Sequence, residues 1–342
     1  MEKNPPIDRF LDYPGDLFDV RSPKEFAKGH IPCAVNLPLF SDQEREDVGK
    51  QYKKKGKEKA IELGLKIVGP KLSRLALLAK EKSVGKCSKI YCWRGGMRSA
   101  SVGWLLDLMG KNTLTLKGGY KSFRKWVSKI FHKTYKIYII GGMAGSGKTR
   151  ILRTLHSMGE QVLDLESLAK HRGSSYGSLG KQPTNEQFEN NLALQWISFD
   201  SLRPIWIENE SRTIGSCVIP EPLFEKMRTA KLIQIEIPLN ERLRNLRDDY
   251  KNCSADFLLQ ATESLCKRLG GLRTNQIKRA VLGEDYMDAY KIALEYYDKA
   301  YYYDLKRKKR NISLRISYKN LSSKEWAKKI LSSIPPAKQG SL

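Results

Sequence analysis

Lys136-Ile-Tyr-Ile-Ile-Gly-Gly-Met-Ala-Gly-Ser-Gly-Lys-Thr149 sets a short apolar run directly ahead of a glycine-rich turn. An unbroken run of that length, bounded by glycines, reads as a strand buried on both faces, the kind found in parallel sheets. From Gly142 to Thr149 the spacing G-x-x-x-x-G-K-[ST] is met in full. Its glycines let the main chain bend until successive N–H groups point inward, and a helix starting at the lysine adds the positive end of its dipole. Gly142, Gly145, Ser146, Gly147, Lys148 and Thr149 are therefore the expected phosphate-binding residues, with Lys148 as a point charge and the Thr149 hydroxyl as a ligand for Mg²⁺. The loop leaves the phosphate compound open. Metal-assisted chemistry adds an acidic residue from a neighbouring strand, and either Glu208, ending Pro-Ile-Trp-Ile-Glu, or Asp164, in Val-Leu-Asp-Leu, fits that need.

Working outward from this loop, strands and helices alternate. A helix follows the glycines, then strand Gln161–Glu166, a long helix from about Thr184 to Ser201, and strands over 204–210 and 231–238. Residues 255–309 read as largely helical, and a strand (312–317) and a last helix (324–332) close the chain. Alternation of this kind predicts an α/β domain with a mainly parallel sheet covered on both faces. The stretch before Lys136 shows its own alternation: strand Asp16–Ser22, a leucine-spaced helix over 70–82, strand Lys89–Trp93 and a helix over 99–109. The 342 residues thus divide into an N-terminal α/β domain, 1–128, and a phosphate-loop domain, 129–342, with a basic helical region at about 252–310. Lys121–Lys136, lacking glycine and proline, reads as a helical connector, and Lys50–Lys59 as a charged helical insertion on the surface.

In the first half, Cys92-Trp-Arg-Gly-Gly-Met-Arg98 follows a strand and precedes a helix. A thiol placed there meets inward amides, a helix N-terminus and two arginines, all favouring the thiolate. Cys92 is the expected nucleophile, and the loop can cradle an anion: a persulfide, a perselenide or a phosphate. The six cysteines form no C-x-x-C pair, which argues against a structural zinc site and for free thiols in a reducing compartment.

Lys and Arg number 62 against 37 Asp and Glu, a formal charge of +25. Such a field draws polyanions, nucleic acid first. Lys267, Arg268, Arg273, Lys278, Arg279 and the run Lys306–Arg310 form the basic helical region, with Tyr296, Tyr297 and Tyr301–Tyr303 nearby; tyrosines at helical spacing serve a core more often than they stack on bases. Arg242, Arg244 and Arg247 share one helix, as a solvated face or a phosphate clamp. The opening MEKNPPIDRF has no features of a signal peptide, and no apolar run approaches the ~20 residues of a membrane span. A cytoplasmic protein is expected.

Several blocks stand in a telling order: DVRSPKEFAKGHIP, YCWRGGMRS and LKGGYKSF, then DLESLAKHRGSSYG and ENESRTIG beyond the phosphate loop. The first three resemble a rhodanese domain. With VGKQYKKKGKEKAIELG and the second domain, the chain resembles the tRNA 2-selenouridine synthases over about residues 10–250, departing at Cys33, where glycine is usual. That resemblance implies a transferase acting on the anticodon region of tRNA, at 2-thiouridine in the wobble position. Its co-substrates would be selenophosphate, with a selenophosphate-supplying enzyme as a partner, and geranyl diphosphate; the resemblance leaves open whether Mg²⁺ takes part. It implies Arg94 and Arg98 as the lining of the anion cradle around Cys92, and His171, Arg172, Glu210 and Arg212 as polar site residues of the second domain. Two other readings stand beside it: a sulfurtransferase or cysteine-loop phosphatase fused to a kinase-like domain, against which Tyr91 replaces the usual histidine, and a non-catalytic RNA-binding module.

Overall fold

The computed structural model describes residues 2–171, 181–307 and 312–334. The chain forms two compact units, one of Met1–Ile130 with Glu186–Leu194 and one of Phe131–Asn185 with Gln195–Leu342. Both are α/β, as the alternating pattern predicts.

The first unit is built on four parallel strands, β1 (Asp16–Asp19), β2 (Val35–Asn36), β3 (Cys87–Tyr91) and β4 (Asn112–Thr115), in the order β2-β1-β3-β4. Phe18, Val20, Leu37, Ile90 and Val102 pack into one apolar cluster that includes Cys92 itself. Beside it lies a buried ion pair. Arg21 Nη2 meets Asp19 Oδ2 at 2.5 Å and the Gly29 carbonyl at 2.6 Å. Its guanidinium carbon stands 3.8 Å from the centroid of the Tyr120 ring. A charge so buried persists because the Asp19 carboxylate, the Gly29 carbonyl and the face of the Tyr120 ring offset it.

Two differences from the sequence expectations have clear causes. Residues 121–136 do not make a free connector: the helix Gly119–Ile130 is strongly amphipathic and buries Tyr120, Phe123 and Val127 in the first unit. Glu186–Leu194, although its sequence position lies beyond the phosphate loop, also belongs to that unit. Asn190 is fully buried there, its Nδ2 donating to the His30 carbonyl (2.9 Å) and the Tyr120 hydroxyl (2.7 Å), while its Oδ1 accepts from Arg124 (2.5 Å). The charged insertion is part of a helix from Asp42 to Val68, broken at Gly56 where φ is 84°.

The second unit carries five parallel strands, β5 (Ile137–Gly142), β6 (Gln161–Leu163), β7 (Ile205–Glu208), β10 (Lys231–Glu236) and β11 (Ile312–Ser317), in the order β11-β10-β5-β7-β6. An antiparallel pair, β8 (Thr213–Ile214) and β9 (Cys217–Val218), lies outside the sheet and has no counterpart in the sequence reading. β5 is central and buried at every residue. The helices Lys148–Ser157 and Ser323–Ser332 share one apolar cluster with it, through Ile151, Leu155, Trp326 and Ile330. Four further helices between Ala255 and Arg307 enclose a separate apolar cluster around Leu258, Ile277 and Ala293.

Removing one partner of a buried pair leaves the other charge stranded. Asp19→Ala is therefore expected to cost about 3–5 kcal/mol, measured as the shift of the first unit's transition in urea unfolding followed by tryptophan fluorescence.

Candidate active sites in the two units

The cysteine loop leaves the carboxyl end of β3, and the helix Met97–Leu108 begins within it. The Cys92 carbonyl accepts from the Tyr120 amide at 2.8 Å and that of Trp93 from the Lys121 amide at 2.9 Å, so the start of the helix Gly119–Ile130 closes the loop from the other side. Gly119 makes this approach possible. Its φ is +59°, and a Cβ there would collide with the Cys92 carbonyl oxygen and the Gly95 amide. The second glycine of LKGGY is thus a packing requirement of the cysteine loop.

Cys92 is 3% exposed. Burial pushes its pKa up, but the Ser99 hydroxyl 3.3 Å from Sγ, the Arg98 charge and the amides of Ser99 and Arg94 outweigh burial, and the pKa lies below the ordinary thiol value. Arg98 is held by Glu25, Nη1 to Oε2, at 2.8 Å. Burial opposes the Glu25 carboxylate too, and Arg98, the Ser22 amide and Arg45 together more than offset it, drawing its pKa down. Arg94 stands on the exposed rim. Sequence reasoning missed Ser99 and Glu25. The serine directly follows Arg98, and Glu25 forms a capping box with Ser22 in the DVRSPKEF block.

In the second unit the phosphate loop runs from the end of β5 to the helix Lys148–Ser157. Gly145 and Gly147 have φ of +77° and +78°. A Cβ on Gly145 would come within 2.7 Å of the Arg242 carbonyl oxygen, because the helix Leu239–Tyr250 lies directly against the loop. Arg242 is 3% exposed: Nε donates to the Ala144 carbonyl at 2.8 Å, and the two terminal nitrogens grip Asp298 at 2.8 and 2.5 Å. This arginine is a brace for the loop. Ser146 Oγ is buried and has no hydrogen-bond partner among the described residues.

Three carboxylates converge on Lys148 and Thr149. Ligand oxygens of Glu166, Glu208 and Glu210 all lie within 4.8 Å of one another. Thr149 Oγ1 is 3.0 Å from Glu208 Oε2 and 3.3 Å from Glu166 Oε2, and Lys148 Nζ is 3.5 Å from Glu208 Oε1. Burial and the Glu208 charge push Glu166 up to about 9 and Glu210 up to about 8. For Lys148, burial opposes the ammonium, but Glu208, Glu210 and Glu166 together overcome it and raise its pKa. Hard oxygen donors at this spacing, with a hydroxyl beside them, fit Mg²⁺; Glu166, Glu208, Glu210 and Thr149 would hold it.

Of the acidic residues proposed from sequence, Glu208 reaches the loop, whereas Asp164 caps the helix Leu165–Ala169 by accepting from the Ser167 amide at 2.8 Å. Glu166 was not anticipated. It sits just past the end of β6, where parallel sheets gather their sites. Glu210 joins the cluster. His171 is half-buried, and its pKa is lowered by burial. Arg212 is exposed and pairs with Glu221 at 2.6 Å. Arg172 lies outside the described residues. In the basic region Lys267, Arg268 and Arg279 are exposed, and Lys278 pairs with Glu263. Tyr296 and Tyr297 pack on the helical apolar cluster, while Tyr302 and Tyr303 are exposed; Lys308–Arg310 lie outside the described residues. No described helix is long and apolar enough to cross a membrane.

A buried thiol with a lowered pKa in one α/β unit and a glycine loop backed by carboxylates in another suit a group-transfer enzyme. A rhodanese-like domain model matches residues 7–126, and the model of the tRNA 2-selenouridine synthase AAA domain matches residues 135–332. A protein of Marinobacter nauticus named tRNA 2-selenouridine synthase is 34% identical, over 96% of this chain and 99% of its own. Relatives of the same name from Sulfurovum sp. and Pseudomonas putida are 35% and 37% identical, covering 87% and 76% of the chain and 91% and 76% of their own lengths. The chain belongs to the tRNA 2-selenouridine synthase family.

Raised carboxylate pKa values link the cluster to stability. The native chain keeps protons at Glu166 and Glu210 that the unfolded chain releases near the ordinary value of 4.5. Their stabilising contribution is therefore complete below that pH and is lost as pH rises towards the folded values of about 8 and 9. Glu210→Gln should flatten the fall in stability between about pH 5 and 8, measured by urea unfolding of both proteins across that range.

Proposed function

We propose that this protein replaces the sulfur of 2-thiouridine in the anticodon region of tRNA with selenium, by way of an S-geranylated intermediate. The observation that carries this reading is that the likeness to the named synthases runs through both loops of one chain, over 96% of its length.

The chemistry needs both sites. A thiocarbonyl sulfur leaves C2 poorly, whereas an alkylated one leaves as a thiol. In the first step the sulfur attacks C1 of geranyl diphosphate: the C–S bond forms, the C1–O bond breaks, diphosphate departs with the electron pair and the base loses its N3 proton. Amides of Gly142–Thr149 and the Lys148 ammonium would stabilise the charge growing on the leaving diphosphate. Bound Mg²⁺ would share that charge, which gives the carboxylate cluster a purpose without any call for ATP. In the second step nucleophilic selenium from selenophosphate attacks C2, the C2–S bond breaks and geranyl thiol leaves; water takes up the phosphoryl group as phosphate. The loop around Cys92, with Arg94 and Arg98, would receive the selenium donor. A selenophosphate-supplying enzyme is the partner this requires, and the cytoplasm the compartment. The division of labour assigns selenium handling to residues 1–128 and diphosphate handling to 129–342, with Lys267, Arg268 and Arg279 meeting tRNA phosphates.

Cys92→Ser should lower selenium incorporation by about a hundredfold or more and leave geranylation of 2-thiouridine tRNA largely intact, read by mass spectrometry of tRNA nucleosides; equal loss of both would refute this assignment. Lys148→Ala should slow geranyl transfer by about a hundredfold in single-turnover assays, and unchanged kinetics would remove the phosphate loop from that step.

A further inference from the structure

An apolar cavity opens beside the phosphate loop, wholly within the second unit. Ala144 of the loop and Leu246 of the adjoining helix form one wall. Leu258, Val281, Ala293 and Tyr297, from three of the C-terminal helices, form the others. The cavity volume is about 90 Å³, several times the ~10–15 Å³ that a single water needs. Its lining is almost entirely apolar, in contrast to the lysine, threonine and three glutamates gathered at the same loop.

Loop and cavity are held in fixed register. Asn245 Nδ2 donates to the Gly145 carbonyl at 2.8 Å, and Arg242 Nε to that of Ala144, also at 2.8 Å. Leu246 therefore stands against the loop, its Cγ 3.1 Å from where a Cβ on Gly145 would lie. A ligand with its anionic end on Gly142–Thr149 has an apolar chamber next to it.

That juxtaposition selects among phosphate compounds. The base and ribose of a nucleotide would bury donors and acceptors against walls that offer almost no partners, whereas a hydrocarbon chain gains from leaving water. We infer that the cavity receives the hydrocarbon chain of an allylic diphosphate whose diphosphate occupies the loop, and that Ala293, with only a methyl group on the wall, helps to set the chain length admitted. This rests on the diphosphate reading given under the proposed function and adds to it the residues that recognise the apolar part of the donor.

Prenyl transfer to 2-thiouridine tRNA by the full-length protein, with five-, ten- and fifteen-carbon allylic diphosphates, tests the assignment. Ala293→Phe should raise KM for the ten-carbon donor about tenfold or more, the effect of expelling two or three buried methylenes, while inhibition by inorganic diphosphate stays within about twofold. Leu258→Ala, which enlarges the chamber, should raise the fifteen- to ten-carbon ratio of kcat/KM by about fivefold, and it carries the test if the bulkier variant does not fold. Unaltered chain-length preference in folded variants would overturn the cavity assignment and leave the diphosphate reading standing. So would equal weakening of inorganic diphosphate, since the substitution would then act through the loop. Wild-type protein that transfers no prenyl group and gains no thermal stability from inorganic diphosphate would overturn the underlying reading, and the cavity assignment with it.

Discussion

Negative charge concentrated at the carboxyl end of the second sheet is the constraint on which the rest of this site depends. Glu166, Glu208 and Glu210 come from the ends of two strands, and among them Lys148 is the neighbouring cation in the phosphate loop. Burial resists ionisation here and the Glu208 charge adds to it, which is why Glu166 and Glu210 keep their protons to high pH. The same crowding prepares the site for a cation, because each proton held against its ordinary affinity is one that a metal can displace. Arg242 is already bound to Asp298 and to the Ala144 carbonyl, so it steadies the main chain and adds no free charge to the site.

The cysteine loop solves the opposite problem. Cys92 is almost inaccessible and packed among aliphatic side chains, an environment that ordinarily leaves a thiol inert. Local amides, the Ser99 hydroxyl and Arg98 reverse that tendency, and Glu25 fixes where the arginine charge stands. In one unit the surroundings favour the anion; in the other they resist it. Under the proposed function a nucleophile is wanted in the first case and a cation-binding cluster in the second, and both arrangements are set at the ends of parallel strands, where helix N-termini and loops converge.

Much of this was legible in the sequence because it depends on local chemistry. The phosphate loop needs glycines at fixed spacing before Lys148 and Thr149, and the cysteine loop needs a strand ahead of Cys92 and a helix behind it; both patterns are contiguous. Glu208 was legible as a strand terminus beside the loop. Glu166 was not: its neighbour Asp164 has the same charge and a similar place, and only the cap it forms on the Ser167 amide removes it from the cluster. The arginines 242, 244 and 247 look alike in sequence, yet Arg242 alone among them is buried, since it lies on the helical face turned to the loop.

Within the chain itself, sequence determined the two α/β units, the cysteine loop, the glycine-rich loop and the family, because hydrophobic period, glycine spacing and residue order are properties of neighbours along the backbone. Tertiary structure decided which carboxylates meet, that Glu186–Leu194 completes the first unit, and that an apolar chamber adjoins the phosphate loop. Each of these joins residues far apart in number. Burial, which sets both the pKa of a carboxylate and the dryness of a cavity, has no value until the chain has closed around them.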